Sequence, residues 1–467
     1  MNTKKKMILA IAMLSYFLTA LNNSIIITGI TKIAEEFSAS QREMSWVQNA
    51  YLLAFGGFIL LGGRLSDIYG RRRVLNLSLI LLGLSAALAG WAPNVAVLIG
   101  ARAAEGIGAA ILAPVSLALL MDTFEGKERV RAISWYSSIS GLGSCIGLVL
   151  GGFFAMMLTW RIGFYLDLPL TGLMLFLSMR ALPKGKSVPS VPDIKGTVLS
   201  VTGISAFVYA INGTEDKMPW FLAAALLLWF FVKTEKKAAM PVLPLVLFQN
   251  RIRRKAYAAR TAFAGATFGF WFFISEYLQL VLHETPLTAS FAFLPMTLST
   301  FMAAVAVPGL TQSLGEKKVL LLGTLCLMGG FGGSMLLGEE STFLGSILPV
   351  MLLMGLGQGL AMSPMTNLGI FGAGSAFAGA ASGMVNASHQ IGGSIGLSLM
   401  VSLIEDMESH LMIFHYAMTA GLLFIAVMLV FSLSFPARMG FAGKREDTSG
   451  GIEDDHCRSE PDISSVH

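Results

Sequence analysis

The chain has 467 residues, 54% of them hydrophobic and only 13% charged, with a formal net charge of +5 and a mean hydropathy of +0.69. Soluble chains carry about 25% charged residues, so the composition excludes a water-soluble enzyme or binding module and points to a protein of the lipid bilayer. Cys145, Cys326 and Cys457 lie too far apart for a disulfide framework or a metal-ligand spacing.

Apolar runs of about 20 residues, enough to cross a bilayer as a helix, recur along the chain. They are continuous rather than alternating, and lipid offers the backbone no hydrogen bonds, so helices are expected. The first run, 7–31, follows the basic start Lys4–Lys6. It is longer than a signal-peptide core and ends in no clear small-residue cleavage pattern, so it reads as a retained membrane helix. Further helices are expected over 44–62, 74–93, 95–121, 132–158 and 162–182. A polar linker, PKGKSVPSVPDIK, follows, then two more spans over 196–213 and 220–232. Six last spans are expected over 256–282, 287–310, 319–338, 343–364, 382–403 and 411–435. The hydrophilic stretch after Arg438 is expected to be a disordered tail. The 50 glycines suit close helix packing in lipid.

Basic residues orient this array. Lys4–Lys6, the stretch GRLSDIYGRRR at 63–73, Lys127/Arg129/Arg131, Lys184/Lys186/Lys195, Lys233/Lys236/Lys237, Arg251/Arg253/Arg254/Lys255 and Lys317/Lys318 all fall on one side if fourteen spans are correct. The other side has scattered basic residues and Glu35, Glu36, Glu339 and Glu340, among other acids. Loops rich in Lys and Arg are cytoplasmic, so both termini are expected there. The basic excess then needs no nucleic acid; topology and anionic lipid account for it.

The sequence also repeats itself. GRRRVL at 70–75 is echoed by GEKKVL at 315–320, an offset of 245 residues. GIG at 106–108 is echoed by GLG at 355–357, with Pro114 and Pro364 soon after. An all-α membrane protein of two six-helix bundles with two inserted helices would produce this. Its expected parts are a first bundle (1–182), a linker with two inserted spans (183–255), a second bundle (256–437) and a tail (438–467). Repeats of this kind place a transport site near the midplane between the halves.

Ionisable groups inside membrane helices cost about 2.5–3.5 kcal/mol each on insertion scales, so they are expected to face a cavity or a partner. Arg102 and Glu105 lie on one face of the fourth helix, Glu105 near its middle. They read as a proton carrier beside its arginine, or as a fixed pair that stiffens the helix. Glu276, in the outer part of the ninth helix, reads as a carrier or cation-binding group, or as a helix-end carboxylate reaching water. Asp167, just before Pro169, is a further carrier candidate that reads more simply as a structural cap. Arg260 is expected to snorkel to water. Asn22 and Asn23 would hydrogen-bond a substrate or join helices. Tyr51, Trp135, Tyr136, Phe270, Trp271 and Tyr277 would line an apolar pocket for a planar or cationic ligand, or pack against neighbours. Gly143, Gly147 and Gly151, with Gly152 beside them, form a small-residue face expected to seal the fifth helix against the other bundle.

Several of these stretches resemble one family. Gly63, Asp67, Gly70, Arg71 and Arg72 resemble the signature loop between helices two and three of the major facilitator superfamily, with Ile68 where a basic residue is usual. Residues 102–110 are similar to its fourth-helix motif, with Glu105 in place of glutamine. Residues 143–152 are similar to its fifth-helix antiporter motif, with Leu148 in place of proline. Residues 46–53, 277–295 and 381–396 resemble the fourteen-helix drug:proton antiporter branch. So does 21–33, with Asn22 where an aspartate is usual. The resemblance implies a major facilitator fold. It also implies a gate in which Asp67 contacts the start of the penultimate helix, near Ser382, where a helix dipole stabilises a carboxylate by about 0.3–1 kcal/mol. On the residues alone, the same loop would serve as a topology signal.

The expected function is a multi-pass secondary transporter of the cell membrane. It would export amphipathic or cationic compounds by alternating access in exchange for protons, as a monomer, with no metal or cofactor. A dedicated exporter or importer of one metabolite is the alternative, and a non-transporting membrane sensor a remote one. No phosphate-binding G-x4-G-K-[ST] loop, H-E-x-x-H or Cys/His metal spacing occurs, so the proton gradient is the expected energy source.

Overall fold

A computed structural model describes residues 2–183, 193–213, 216–238, 241–404 and 407–436. Most of the expected polar linker and the expected tail lie outside the described residues. Those described form fourteen helical segments: α1 Thr3–Phe37, α2 Gln41–Tyr69, α3 Arg71–Trp91, α4 Val95–Thr123, α5 Gly126–Met157, α6 Arg161–Ala181, α7 Ile194–Asn212, α8 Met218–Glu235, α9 Arg251–Glu276, α10 Pro286–Leu314, α11 Glu316–Ser334, α12 Phe343–Ile370, α13 Gly374–Ser402 and α14 His410–Leu433. Helix α9 runs on into a π-helical turn, Tyr277–Val281. Helices α6 and α10 pause at Leu166 and Phe293. Pro169 and Pro295 follow these pauses; a proline ring clashes with the carbonyl four residues back, which interrupts the ladder there.

Ten of the segments are long and apolar enough to cross a membrane. The others are α5, α9, α11 and α13. Helix α9 carries Arg253, Arg260 and Glu276, and most of its residues are buried by protein. Helix α13 buries Ser388, Gln390, Ser394 and Ser398 in the same way. A helix enclosed by other helices meets side chains rather than lipid, so it carries polar groups that a lipid-facing helix would not.

The helices alternate between two faces. On the face of the chain termini, Lys5 pairs with Glu128 at 2.7 Å, Arg72 reaches Leu182 O, and Lys317 reaches Leu433 O and Phe435 O. On the opposite face, Arg161 pairs with Glu36 at 2.6 Å, Tyr277 donates to Gly338 O, and Asn212 donates to Ser45. The basic stretches Lys4–Lys6, 63–73 and 251–255 therefore share the terminal face, away from Glu36, Glu339 and Glu340.

The first six helices and the last six pack alike. α1 lies on α5, α2 on α4, and α3 on α4 and α6; likewise α9 lies on α13, α10 on α12, and α11 on α12 and α14. The correspondence extends to single residues. Gly70 and Gly315 have φ of +88° and +84°, a region where glycine alone is free of a Cβ penalty. A Cβ on Gly106 would strike Tyr51 O, and one on Gly355 would strike Met296 O, 245 residues further on. A Cβ on Gly108 would stand 2.7 Å from Leu82, and one on Gly357 2.6 Å from Leu327. The halves meet through α2 with α13 and α5 with α10. Helix α7 pairs with α8 and lies along both α2 and α13.

Three expectations change. Gly143, Gly147 and Gly151 do not face the other half. They accept α1, with Phe17 O at 2.7 Å from a Cβ on Gly143 and Leu21 O at 2.9 Å from one on Gly147; Gly152 alone of the four meets α10, at Pro286 and Ser290. Spacing four defines a face, but two neighbours competed for it. Next, α13 starts at Gly374, eight residues before Ser382. Finally, Asp67 pairs with Arg71 of its own loop at 2.6 Å, and Arg71 continues to Asp122 at 3.1 Å. Spacing i,i+4 brings Asp67 and Arg71 together, so here the loop is tied within its own half.

Candidate functional site

Four helices of the first half build a buried polar cluster. Arg102 and Glu105 are one turn apart on α4, and both side chains are fully buried. Arg102 Nη1 donates to Glu105 Oε2 at 2.7 Å, and its Nε reaches Val47 O at 3.4 Å. The guanidinium lies 4.4 Å from the centre of the Tyr51 ring on α2, within the range of a cation–π contact. Asp167 on α6 is fully buried and within electrostatic reach of Glu105 and Arg102. Asn22 on α1 lies against Asp167, and Asn23 lies beside Tyr51.

This cluster is short of partners. Tyr51 OH, Asn22 Nδ2, Asn23 Oδ1, Arg102 Nη2, Glu105 Oε1 and both Asp167 carboxyl oxygens complete no hydrogen bond. Each unsatisfied buried polar group costs about 1–3 kcal/mol. Seven such atoms in one cluster fit a site that takes up a proton, water or ligand. Asp167 is thus no cap. No side chain caps this helical piece, and the residue opens it from inside the protein.

Glu276 lies apart from the cluster. It is 9% exposed and accepts from Gln41 Nε2 at 2.8 Å, across the seam between the halves. Gln279 meets Thr31 at 2.6 Å, Ser275 donates to Ile27 O at 2.9 Å, and Asn49 donates to Ser398 at 2.8 Å. These contacts draw the halves together towards the face opposite the termini. The helix-end reading of Glu276 in open water does not hold here, because Gln41 and the α9 packing cover it.

The aromatic candidates do not converge on one pocket. Tyr136 is buried and stacks on Tyr16 at 4.6 Å. Trp135 is 53% exposed on α5. Trp271 stacks on Phe293 at 5.3 Å and donates to Gln358 at 3.4 Å. Tyr277 stacks on Phe414 at 4.4 Å, and Phe270 meets Phe331 edge-on. Tyr51 alone of these joins the acidic cluster. Arg260 does not snorkel. It is 4% exposed, donates to Met362 O at 3.1 Å, and lies near Tyr16 and His389. A cavity of about 470 Å³ opens on the opposite face of the second half, with Leu278, Glu284, Phe291, Glu339 and Glu340 in its lining. It contains none of the candidate residues.

Sequence reasoning passed over the polar contact of Asn49 on α2 with Ser398 on α13, near which Gln48, Gln390 and Ser394 are also buried. The polar run Asn386–Gln390 inside an otherwise small and apolar helix was the available signal.

Known proteins resemble this arrangement. The Major Facilitator Superfamily pattern matches residues 12–397. The puromycin resistance protein pur8 of Streptomyces alboniger is 31% identical over 84% of this chain and 80% of its own. The cephamycin export protein CmcT of Amycolatopsis lactamdurans is 31% identical over 85% of this chain and 84% of its own. The multidrug resistance protein Stp of Mycobacterium tuberculosis is 30% identical over 88% of this chain and 79% of its own. A crystal structure of a point mutant of the nucleoside transporter NupG superposes with a TM-score of 0.63 at 12% identity, covering 91% of this chain and 98% of the other, a likeness of fold.

Proposed function

The chain belongs to the Major Facilitator Superfamily, and on that premise we propose that it exports amphipathic or cationic drugs in exchange for protons. Relatives named for antibiotic resistance, antibiotic export and multidrug resistance support the export reading. The observation that carries proton exchange is the buried Arg102–Glu105 pair beside Asp167, a group of titratable side chains with unmet hydrogen-bonding capacity. The carboxyl pair of Glu105 and Asp167 takes a proton from outside and gives it up inside. Glu276, at the seam, attracts the cationic substrate. We place the chain in the fourteen-helix branch as a monomer, with bundles at 1–182 and 256–437 and two further crossings between them.

The terminal face is the cytoplasmic one, because its loops carry the basic clusters. In this conformation the cross-half hydrogen bonds near Thr31, Gln41 and Ser275 close the outer side, and Asp67 is paired with Arg71. The orientation has a direct check. In a cysteine-free background, Glu339→Cys in intact cells should react with an impermeant thiol reagent, and Glu125→Cys should not. The reverse pattern would invert the protein.

The function is tested in pump-deficient cells. Expression should raise survival on puromycin and speed ethidium efflux, and an uncoupler should remove both effects. Glu105→Gln keeps the shape of the carboxyl but removes its negative charge, so the cluster no longer needs a proton to be neutral; it should abolish the uncoupler-sensitive efflux. Efflux that persists unchanged after uncoupling would rule out proton drive. Activity on only one of a set of structurally unrelated drugs that includes puromycin and ethidium would replace the multidrug reading with a dedicated exporter.

A further inference from the structure

We infer that Asp167, held against Asn22 of α1, and Glu105 hold one exchangeable proton between them around the single guanidinium of Arg102. The inference rests on the proton-exchange reading and assigns its chemistry to particular atoms.

Charge counting inside the sealed cluster comes first. The charged or titratable groups around Asp167 among the described residues are Arg102 and Glu105 on α4 and Tyr51 on α2. α1 contributes the neutral Asn22, and α3 approaches with Gly83 at Thr171, one turn further along. Two ionised carboxylates against one guanidinium would leave a net negative charge in a site with no solvent exposure. An uncompensated buried charge is far more costly than a neutral acid. The cluster is neutral only with one proton on the carboxyl pair. Geometry says where that proton rests: Glu105 makes the direct 2.7 Å bond to Arg102 and stays ionised. Asp167 makes no such bond and has both oxygens free.

The side chains facing each other across α1 and α6 are an amide and a carboxyl of the same shape. At Asn22 the first helix offers the amide, and α6 returns the acid from the opposite wall. Asn22 is therefore a positioning residue for Asp167. In exchange, a proton entering from the outer side binds the Asp167 carboxylate. When the inner side opens to water, the O–H bond breaks, the proton passes to solvent, and the departing charge is replaced by a cationic substrate or by rearrangement of Arg102. No bond other than O–H changes.

The test exchanges the two side chains. Purified protein in lipid nanodiscs is examined by infrared spectroscopy in H2O and D2O, where a protonated carboxyl gives its own carbonyl band. Asp167→Asn should lose one carboxylic-acid equivalent relative to the parent, because Glu105 alone then balances Arg102. Asn22→Asp alone should gain one. The double exchange Asn22→Asp/Asp167→Asn should restore the parental band and, in cells, the uncoupler-sensitive ethidium efflux that Asp167→Asn loses. A parental band unchanged by Asp167→Asn would overturn the assignment. So would a double exchange that behaves like Asp167→Asn alone. The infrared readout needs no transported compound. A parent with the band but without gradient-driven efflux would sink the export reading and leave this one standing.

Discussion

Arg102→Ala should cost more stability than any other single side-chain truncation in the first half. The residue is fully buried, its Nη1 holds Glu105 at 2.7 Å, and its plane lies 4.4 Å from the Tyr51 ring centre. Removing one partner of a buried ion pair typically costs about 3–5 kcal/mol, because the other charge is left without compensation. Here Glu105 loses its cation, and a cavity opens beside Tyr51. The apparent Tm of the purified protein in detergent should fall sharply. Arg102→Leu/Glu105→Leu should fall less than Arg102→Ala, since apolar side chains replace both charges. A double variant less stable than the single one would show that the pair is not the source of the effect.

The second large effect is steric. Gly396 on α13 touches the backbone of Gly265 on α9, and Gly151 on α5 touches Ile25 O on α1, at corresponding places in the two halves. Neither contact leaves room for a Cβ, and the obstructing atoms are backbone, which cannot rotate away. Overpacking a well-filled interior costs about 1–3 kcal/mol and occasionally more. Gly396→Val and Gly151→Val should each sharply lower the yield of monodisperse protein on size-exclusion chromatography. Gly332→Val has nothing within 4 Å of the added Cβ and should not. Equal yields from all three would mean that helix separation in the halves is not set by these glycines.

Much of the architecture was legible because it depends on local rules. Run length marked the helices, and the 245-residue echo matched α2 with α10 and α3 with α11; the structure then puts Tyr51 and Met296, and Leu82 and Leu327, at equivalent places at that offset. The pairing of Arg102 with Glu105 followed from i,i+3 spacing. What was not legible depends on which neighbour a face meets. Asp167 before Pro169 looks like a helix start, and the packing of α1 and α3 against α6 makes it a buried acid. Arg260 lies near a helix end, where snorkelling is natural, but α12 offers Met362 O and the side chain stays inside. The helix-five glycines declare a close contact without saying that α1 fills it. Asp67 illustrates a different limit. The gate expected there would have two states, and this conformation ties the residue to Arg71.

The most direct test uses purified protein in liposomes with no nucleotide present. A pH gradient, acid on the side away from the cytoplasmic face, is imposed across the membrane, with ethidium as transported cation and a trapped pH dye as proton reporter. Ethidium should move against its own gradient while protons move the other way, and Glu105→Gln should abolish both fluxes together. Ethidium movement that ignores the pH gradient, or proton flux that continues in Glu105→Gln, would contradict proton-coupled export through this cluster.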